Sequence, residues 1–149
     1  MRFRHVIAVS AVALASASCS LGGPEEAGSM NLYLSVDKGT LPIDESMTIT
    51  VTARNVGFDP LTLNGPSNCL LYVDVVDNQG RVLWSSNGTC STQIVSEQLL
   101  AGTDKVQDFT WDGTNLAGAR LASGYYYIRG VARLVGGAYI GPPLSISIE

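Results

Sequence analysis

The chain has 149 residues, nine of them basic and thirteen acidic, and its single histidine is His5. This length fits one domain of ordinary size with a short export segment and is short for two domains. Without residues 1–18, seven basic and thirteen acidic residues remain, a net charge of −6 with no histidine. Such a chain lacks the basic patch that neutralises nucleic-acid phosphates. It also lacks a Ser-His or Cys-His nucleophile and the commonest zinc ligand. We therefore predict a protein that is not an enzyme, binds no nucleic acid, and has no metal or cofactor.

The N-terminal segment has the pattern of an export signal. Residues 1–5 are a basic start, residues 6–15 form a short apolar run, and residues 15–17 (Ala-Ser-Ala) are the small residues that a signal peptidase requires. An apolar run of ten residues is too short to cross a bilayer as a stable helix. We expect residues 1–18 to be a removable signal peptide.

Cys19 directly follows this signal, and Ser16-Ala17-Ser18-Cys19 resembles the lipobox of bacterial lipoproteins. In that family the cysteine is acylated and becomes the new N-terminus. The lipobox usually has Leu where this chain has Ser16, so plain cleavage after Ala17 is the alternative. The expected product is a cell-envelope protein held on the membrane by a lipid on Cys19, or otherwise a periplasmic or secreted one. Residues 19–29, which are rich in Gly and Glu, are predicted to be a flexible tether.

From Asn31 onward the pattern is that of β-strands. The clearest strand places Met47, Ile49, Val51 and Ala53 on one face, with Thr and Arg side chains on the other. Residues 70–76 are apolar on both faces and are predicted to be a central strand. Short alternating segments separated by Gly, Pro and Asn turns continue to Ile148. The fold class predicted for residues 30–149 is all-β, an immunoglobulin-like antiparallel β-sandwich of about seven to eight strands.

Two aromatic strands are predicted to meet around one connection. Phe109 and Trp111 share one face of the first strand, and Tyr126, Ile128, Gly130, Ala132 and Leu134 share one face of the second. The connection begins with Asp112-Gly113 and ends with Ser123-Gly124, which are turn-forming pairs. We expect these strands to contribute to the core of the sandwich.

Cys69 and Cys90 are predicted to form a disulfide, which an exported protein can keep oxidised. They flank a hairpin whose turn, Asp77–Gly80, suits a type I turn with a left-handed glycine. That register places Cys69 opposite Thr89, and a second bulge near Gly88 would correct the offset. A cross-link closing a loop of about 22 residues contributes roughly 3 kcal/mol to the free energy of unfolding. Two buried free thiols are the alternative.

Several segments are similar to the successive motifs of one known family. In order, they are Leu71–Asp77 (LYVDVVD), Gly80–Trp84 (GRVLW), Ser91–Gln93 (STQ), Leu100–Thr103 (LAGT), Trp111–Gly113 (WDG) and Leu121–Tyr126 (LASGYY). Together they resemble the intracellular proteinase inhibitor (BsuPI) family over residues 32–131. The Trp-Asp-Gly and Gly-Tyr elements also resemble the immunoglobulin-like domain of flagellar hook-capping proteins. The resemblance implies a β-sandwich that inhibits a serine proteinase without a covalent bond. The chain departs from the family in its export signal and in its cysteine pair.

Two sets of residues are candidate partner contacts. Arg120-Leu121, in the loop after Trp111, is a segment that a trypsin-like proteinase would accept, although a plain exposed arginine fits the sequence as well. Tyr125 and Tyr127 alternate outward from a strand and could stack on a sugar or a peptide, although Tyr is also an ordinary strand residue. The predicted function is a non-catalytic, protein-binding envelope domain that resembles a serine proteinase inhibitor. The alternative is a structural or carbohydrate-binding module.

Overall fold

The computed structural model describes residues 29–149, so the predicted signal peptide and Cys19 lie outside the described residues. In the described range no helix is long and apolar enough to cross a membrane. The secondary structure consists of a 3₁₀ helix (Ser86–Thr89) and the following strands: β1 (Met30–Val36), β2 (Thr40–Leu41), β3 (Met47–Asn55), β4 (Leu61–Pro66), β5 (Leu71–Val76), β6 (Val82–Ser85), β7 (Ile94–Leu99), β8 (Asp104–Trp111), β9 (Gly124–Leu134), β10 (Gly137–Ile140) and β11 (Leu144–Ile148).

The strands form two sheets. One has the order β1-β3-β8, and the larger sheet is organised around β9, which pairs with β10 and β11 along one edge and with β5 and the end of β4 along the other. Strand β6 extends the sheet beyond β5, and β7 extends it beyond β4. Strand β2 pairs in parallel with β11, and the other pairs in residues 29–149 are antiparallel. The predicted immunoglobulin-like β-sandwich is confirmed.

Residues 29–149 hold eleven strands, against about seven to eight predicted, and two of the strands that were not predicted, β2 and β10, are short. Strand β2 has two residues and follows Gly39, and β10 begins at Gly137, directly after a glycine with φ +88°. Gly residues are depleted in strands and enriched in turns, so these segments have a turn pattern in the sequence. Strand β2 attaches to the larger sheet through β11, and β10 attaches to it through β9.

The core lies between the inner faces of the two sheets. Met47, Ile49, Val51 and Ala53 of β3 are fully buried, as the alternation predicts. Ile128 and Ala132 line the facing side of β9. Gly130 lies between them because β1 approaches closely: an added Cβ would lie 2.6 Å from Leu32 Cδ2. The predicted faces of β8 and β9 are therefore correct, and these strands belong to opposite sheets.

One open side of the sandwich is closed by polar bridges between the sheets. The register of β8 against β3 turns Lys105 and Gln107 toward the inner side. Lys105 Nζ lies 2.8 Å from a carboxylate oxygen of Glu97 on β7, and Gln107 Nε2 donates to Asn68 O at 2.7 Å. Because β8 is an edge strand, these side chains reach solvent and can bridge without being fully desolvated.

The predicted disulfide between Cys69 and Cys90 is present, with a Cα–Cα distance of 5.6 Å. The hairpin turn has Gly80 at φ +78°, with its N–H donating to Asp77 O at 3.0 Å. The expected second bulge near Gly88 is wrong in form: residues 86–89 instead wind into the 3₁₀ helix. This helix shortens the return path and brings Cys90 beside Cys69.

Candidate functional site in the loop between β8 and β9

The loop of residues 112–123 begins on a fixed base. Trp111 is buried and its indole Nε1 donates to Thr114 O at 2.8 Å. The Asp112 carboxylate accepts the Thr114 hydroxyl at 2.6 Å and the Thr114 N–H at 3.1 Å. The hydrogen bond from the Thr114 hydroxyl is the main cause of a lowered pKa of Asp112. Burial raises this pKa by a smaller amount, and the backbone donors and the nearby Arg120 guanidinium lower it further. Asp112 is therefore a structural anion that holds the start of the loop.

The tip of the loop is a tight turn over Asn115–Gly118. Asn115 Oδ1 accepts the N–H groups of Ala117 and Ala119 at 2.9 and 3.0 Å, and Gly118 N donates to Asn115 O at 2.9 Å. Gly118 has φ +77°, a conformation that glycine adopts at little cost. The hairpin turn Asp77–Gly80 has the same pattern of hydrogen bonds. The backbone of the tip is thus fixed by its own polar groups.

Leu116 occupies the second position of this turn and points outward. Its N–H donates to Leu83 O of β6 at 2.8 Å, which fastens the tip to the larger sheet. Its side chain is 66% exposed. An apolar side chain on a backbone held at both sides is preorganised for contact with another surface.

Arg120 holds the loop against its neighbour. Its Nη1 donates to Asp112 O at 2.9 Å, and its Nη2 donates to Pro42 O in the β2–β3 loop at 2.7 Å. Gly113 has φ +81°, and an added Cβ would lie 3.1 Å from the Arg120 guanidinium. To enter a proteinase pocket, Arg120 would have to give up both hydrogen bonds. Leu121, its predicted companion, is partly buried and packs against the core.

An open pocket of about 300 Å³ lies at the root of the loop. It is lined by Asp44, Glu45, Ser46, Asp112, Thr114 and Arg120. Of its three carboxylates, that of Glu45 is paired with Lys38 Nζ at 2.7 Å, and that of Asp112 accepts two hydrogen bonds from Thr114. Within residues 29–149 no cluster of three or more His, Cys, Asp or Glu side chains is placed to hold a metal ion. Two of the three carboxylates in the pocket are therefore already engaged within the domain.

The two candidate tyrosines lie on the outer face of the larger sheet. Tyr125 pairs with Ser147 and Tyr127 with Ser145 across β9 and β11. Tyr125 is 77% exposed, whereas Tyr127 is partly buried. The structure brings Arg120 and Leu121 together in one loop and places the tyrosines on an adjoining surface.

The sequence reasoning missed Leu116 and Asn115. Their signal is the spacing Asn-x-x-Gly, which repeats the Asp-x-x-Gly spacing of Asp77–Gly80. In both turns the first side chain accepts two backbone N–H groups. Recognising the second turn as a copy of the first would have placed Leu116 at an exposed tip.

No family model and no curated protein matches this sequence. Among solved structures, the chain is similar to dimeric latent PorU from Porphyromonas gingivalis, with a TM-score of 0.50 and 18% identity over 80% of this chain and 9% of that chain. It is also similar to the β-glucosidase EmGH1 from Erythrobacter marinus, with a TM-score of 0.49 and 12% identity over 81% of this chain and 15% of that one. A third similar structure is the CARDB domain of a Pyrococcus furiosus protein, with a TM-score of 0.48 and 12% identity over 80% of this chain and 87% of that one. The chain thus spans a small part of the first two proteins, and at these identities the likeness is one of fold alone.

Proposed function

We propose that this chain is an exported, non-catalytic domain that binds a protein partner through the loop between β8 and β9. The observation that carries the proposal is Leu116, an exposed apolar side chain on a turn braced from within by Asn115 and from outside by Leu83. Rigid apolar anchors lose little conformational entropy on binding and commonly dominate the affinity of an interface.

A serine proteinase is the partner that the resemblance to the BsuPI family supports. The geometry supports a particular mode of inhibition. Leu116 lies in a tight turn and its N–H is already bonded to Leu83 O, so the segment is not an extended, substrate-like strand. We therefore expect reversible inhibition by a surface contact that blocks access, with no cleavage of the chain near Leu116.

Inhibition assays with a matched pair of variants test this proposal. The chain from Ser20 onward contains the whole sandwich and is assayed against a panel of serine proteinases. We expect Leu116→Asp to weaken inhibition at least about tenfold, since a buried apolar anchor is worth more than about 1.4 kcal/mol. Ile94→Asp on β7 is the control, because Ile94 is similarly exposed and lies outside the loop. The proteinase part of the proposal fails if the unchanged chain does not inhibit at micromolar concentration. Equal effects of the two variants would remove the loop as the contact.

A carbohydrate-binding module is the second candidate, and Tyr125 is the observation that favours it. Its ring is largely exposed on the outer face of the larger sheet, with Tyr127 two residues away. Aromatic rings on a sheet face provide flat, rigid contact area. A glycan screen with Tyr125→Ala and Tyr127→Ala decides between the candidates, because only this one predicts sugar binding that both substitutions abolish.

The proposed location is the bacterial cell envelope, with a lipid on Cys19. The disulfide between Cys69 and Cys90 supports an oxidising compartment. Labelling expressing cells with an alkyne-tagged palmitate tests the anchor: the unchanged chain incorporates the label and Cys19→Ala does not. Equal labelling of the two would remove the lipid from the proposal.

A further inference from the structure

One end of the sandwich carries exposed apolar side chains on two neighbouring loops, residues 56–60 and 100–103. Phe58 is 100% exposed, and Val56 and Leu100 are each about half exposed. We call this end the Phe58 pole. Exposed apolar side chains that are grouped at one end of a domain are typical of a contact surface, whereas a single one is not.

Asn55 fixes both loops of the Phe58 pole. Its side chain is fully buried, and Nδ2 donates to Asp59 O and to Leu99 O, each at 2.8 Å. Its Oδ1 accepts Gly57 N at 2.9 Å, and its backbone carbonyl accepts Gly102 N at 2.8 Å. One buried side chain thus holds the apolar side chains of both loops at the same end of the molecule.

The N-terminal segment joins the domain at this same pole. Ser29 O accepts Val56 N at 2.7 Å and Gly57 N at 3.2 Å. An added Cβ on Gly57 would lie 2.7 Å from Ser29 Cβ, so the two segments are in direct contact. Ten residues, Ser20–Ser29, separate Cys19 from Met30. Even fully extended they span no more than about 35 Å.

We infer that the Phe58 pole rests on the lipid bilayer to which Cys19 is attached, with Phe58, Val56 and Leu100 entering the interfacial region. This inference rests on the lipid anchor proposed above. A tether this short gives the pole a high effective concentration at the bilayer, so a weak apolar contact is sufficient. The β8–β9 loop begins directly after Trp111, which pairs with Met47 at the other end of β3. The membrane contact therefore leaves Leu116 free to meet a partner.

The charges near the pole indicate zwitterionic rather than anionic lipid. Arg54 lies 3.5 Å from Asp104 and Lys105 lies 2.8 Å from Glu97, so these basic groups are neutralised by partners. Asp59 adds a negative charge within the loop of Phe58. An anionic surface would repel this end of the molecule.

A vesicle experiment tests the contact independently of acylation in cells. Because Cys69 and Cys90 are joined, the Cys19 thiol of residues 19–149 can be coupled selectively to a maleimide lipid in phosphatidylcholine vesicles with brominated acyl chains. Phe58→Trp reports on the pole. Ile43→Trp is the control, since Ile43 is 65% exposed in the β2–β3 loop at the other end of β3. Fluorescence of the unchanged protein is subtracted to remove Trp84 and Trp111.

In the brominated vesicles we expect the fluorescence of Phe58→Trp to fall about twofold and its emission maximum to shift to the blue. The reason is that interfacial side chains enter about 5–10 Å into the headgroup and acyl boundary. The Ile43→Trp fluorescence should change little. Equal quenching of both variants, or of neither, overturns the inference. Both positions are exposed, and matching unfolding transitions confirm that the variants fold. Absence of palmitate labelling in cells would instead remove the anchor from the proposed function, which is a separate result.

Discussion

Single polar side chains hold the loops of this domain in place. Arg133 is an example on the outer face of the larger sheet: its Nε donates to Cys69 O at 3.1 Å, its Nη2 donates to Asn87 Oδ1 at 2.5 Å, and its guanidinium lies 4.7 Å from the Tyr72 ring centroid. It therefore fastens both ends of the disulfide region to β9. Asn55 and Arg120 act in the same way elsewhere, by donating to backbone carbonyls of distant segments.

Substituting Asn55 should be among the most destabilising polar changes. Asn55→Ala removes the partners of Gly57 N, Asp59 O and Leu99 O at a fully buried site. We expect a loss of about 3 kcal/mol in the free energy of unfolding, since each buried group left unpaired costs about 1–3 kcal/mol. Urea unfolding measures it. The control is Asn64→Ala, which removes one exposed hydrogen bond to Ser96 and should cost under about 1 kcal/mol. Equal losses would mean that Asn55 does not organise the pole.

Acid stability should depend on Asp112. Hydrogen bonds from Thr114 lower its pKa in the folded chain. A carboxyl with a lowered folded pKa contributes stability above its unfolded pKa and loses it as the pH falls through the folded value. Thermal unfolding of the unchanged chain and of Asp112→Asn at pH 7 and pH 3 checks this. We expect a smaller loss on acidification in the variant, because Asn keeps the hydrogen bonds at both pH values. An identical pH response in the two proteins would contradict the assignment.

At the scale of elements, two turns of the same construction serve different purposes. Asp77–Gly80 joins β5 and β6, whereas Asn115–Gly118 presents Leu116. In the first turn, burial opposes but hydrogen bonds from Arg81 and Gln79 outweigh it, so the pKa of Asp77 is lowered. In the second, a neutral Asn accepts the same two N–H groups. The second turn therefore keeps its shape whatever the pH.

The glycine of the second turn can be tested directly. Gly118→Ala places a Cβ at φ +77°, which should lower the free energy of unfolding by roughly 1–2 kcal/mol. Gly88→Ala is the matched control, because an added Cβ there also meets nothing within 4 Å but its φ is not left-handed. Chemical denaturation of both variants measures the difference. If Gly118→Ala also weakens inhibition, the shape of the turn matters for the contact. Equal stability of the two variants would show that the turn tolerates a side chain.

At the scale of the molecule, the sequence predicts which face of a strand is buried better than it predicts which distant segments contact each other. Alternation identified the buried side of β3, and the cysteine spacing identified the disulfide, since both are local patterns. The role of Arg120 could not be predicted because its partner, Pro42 O, is 78 positions away in the chain. In the sequence, Asn55 is typical of a turn that ends a strand. Its burial is visible only once two later loops pack around it. Because the position of a contact depends on such long-range placement, the contact that we propose is Leu116, whereas the contact at Arg120 stays a prediction from the sequence.

Both sheets should unfold together, because each one supplies one wall of a single core. Trp84 of β6 and Trp111 of β8 come from different sheets, and their ring centroids are 6.1 Å apart. Tryptophan fluorescence therefore reports on the packing between sheets, whereas far-ultraviolet circular dichroism reports on the strands themselves. Separating the sheets would expose the buried apolar face of each one to water, so we expect the two signals to give coincident urea transitions. Lys105→Ala removes the bridge to Glu97. It should lower the free energy of unfolding by less than about 1 kcal/mol, and by the same amount in both signals. Loss of the tryptophan signal before the circular dichroism signal would mean that the sheets separate while each stays folded.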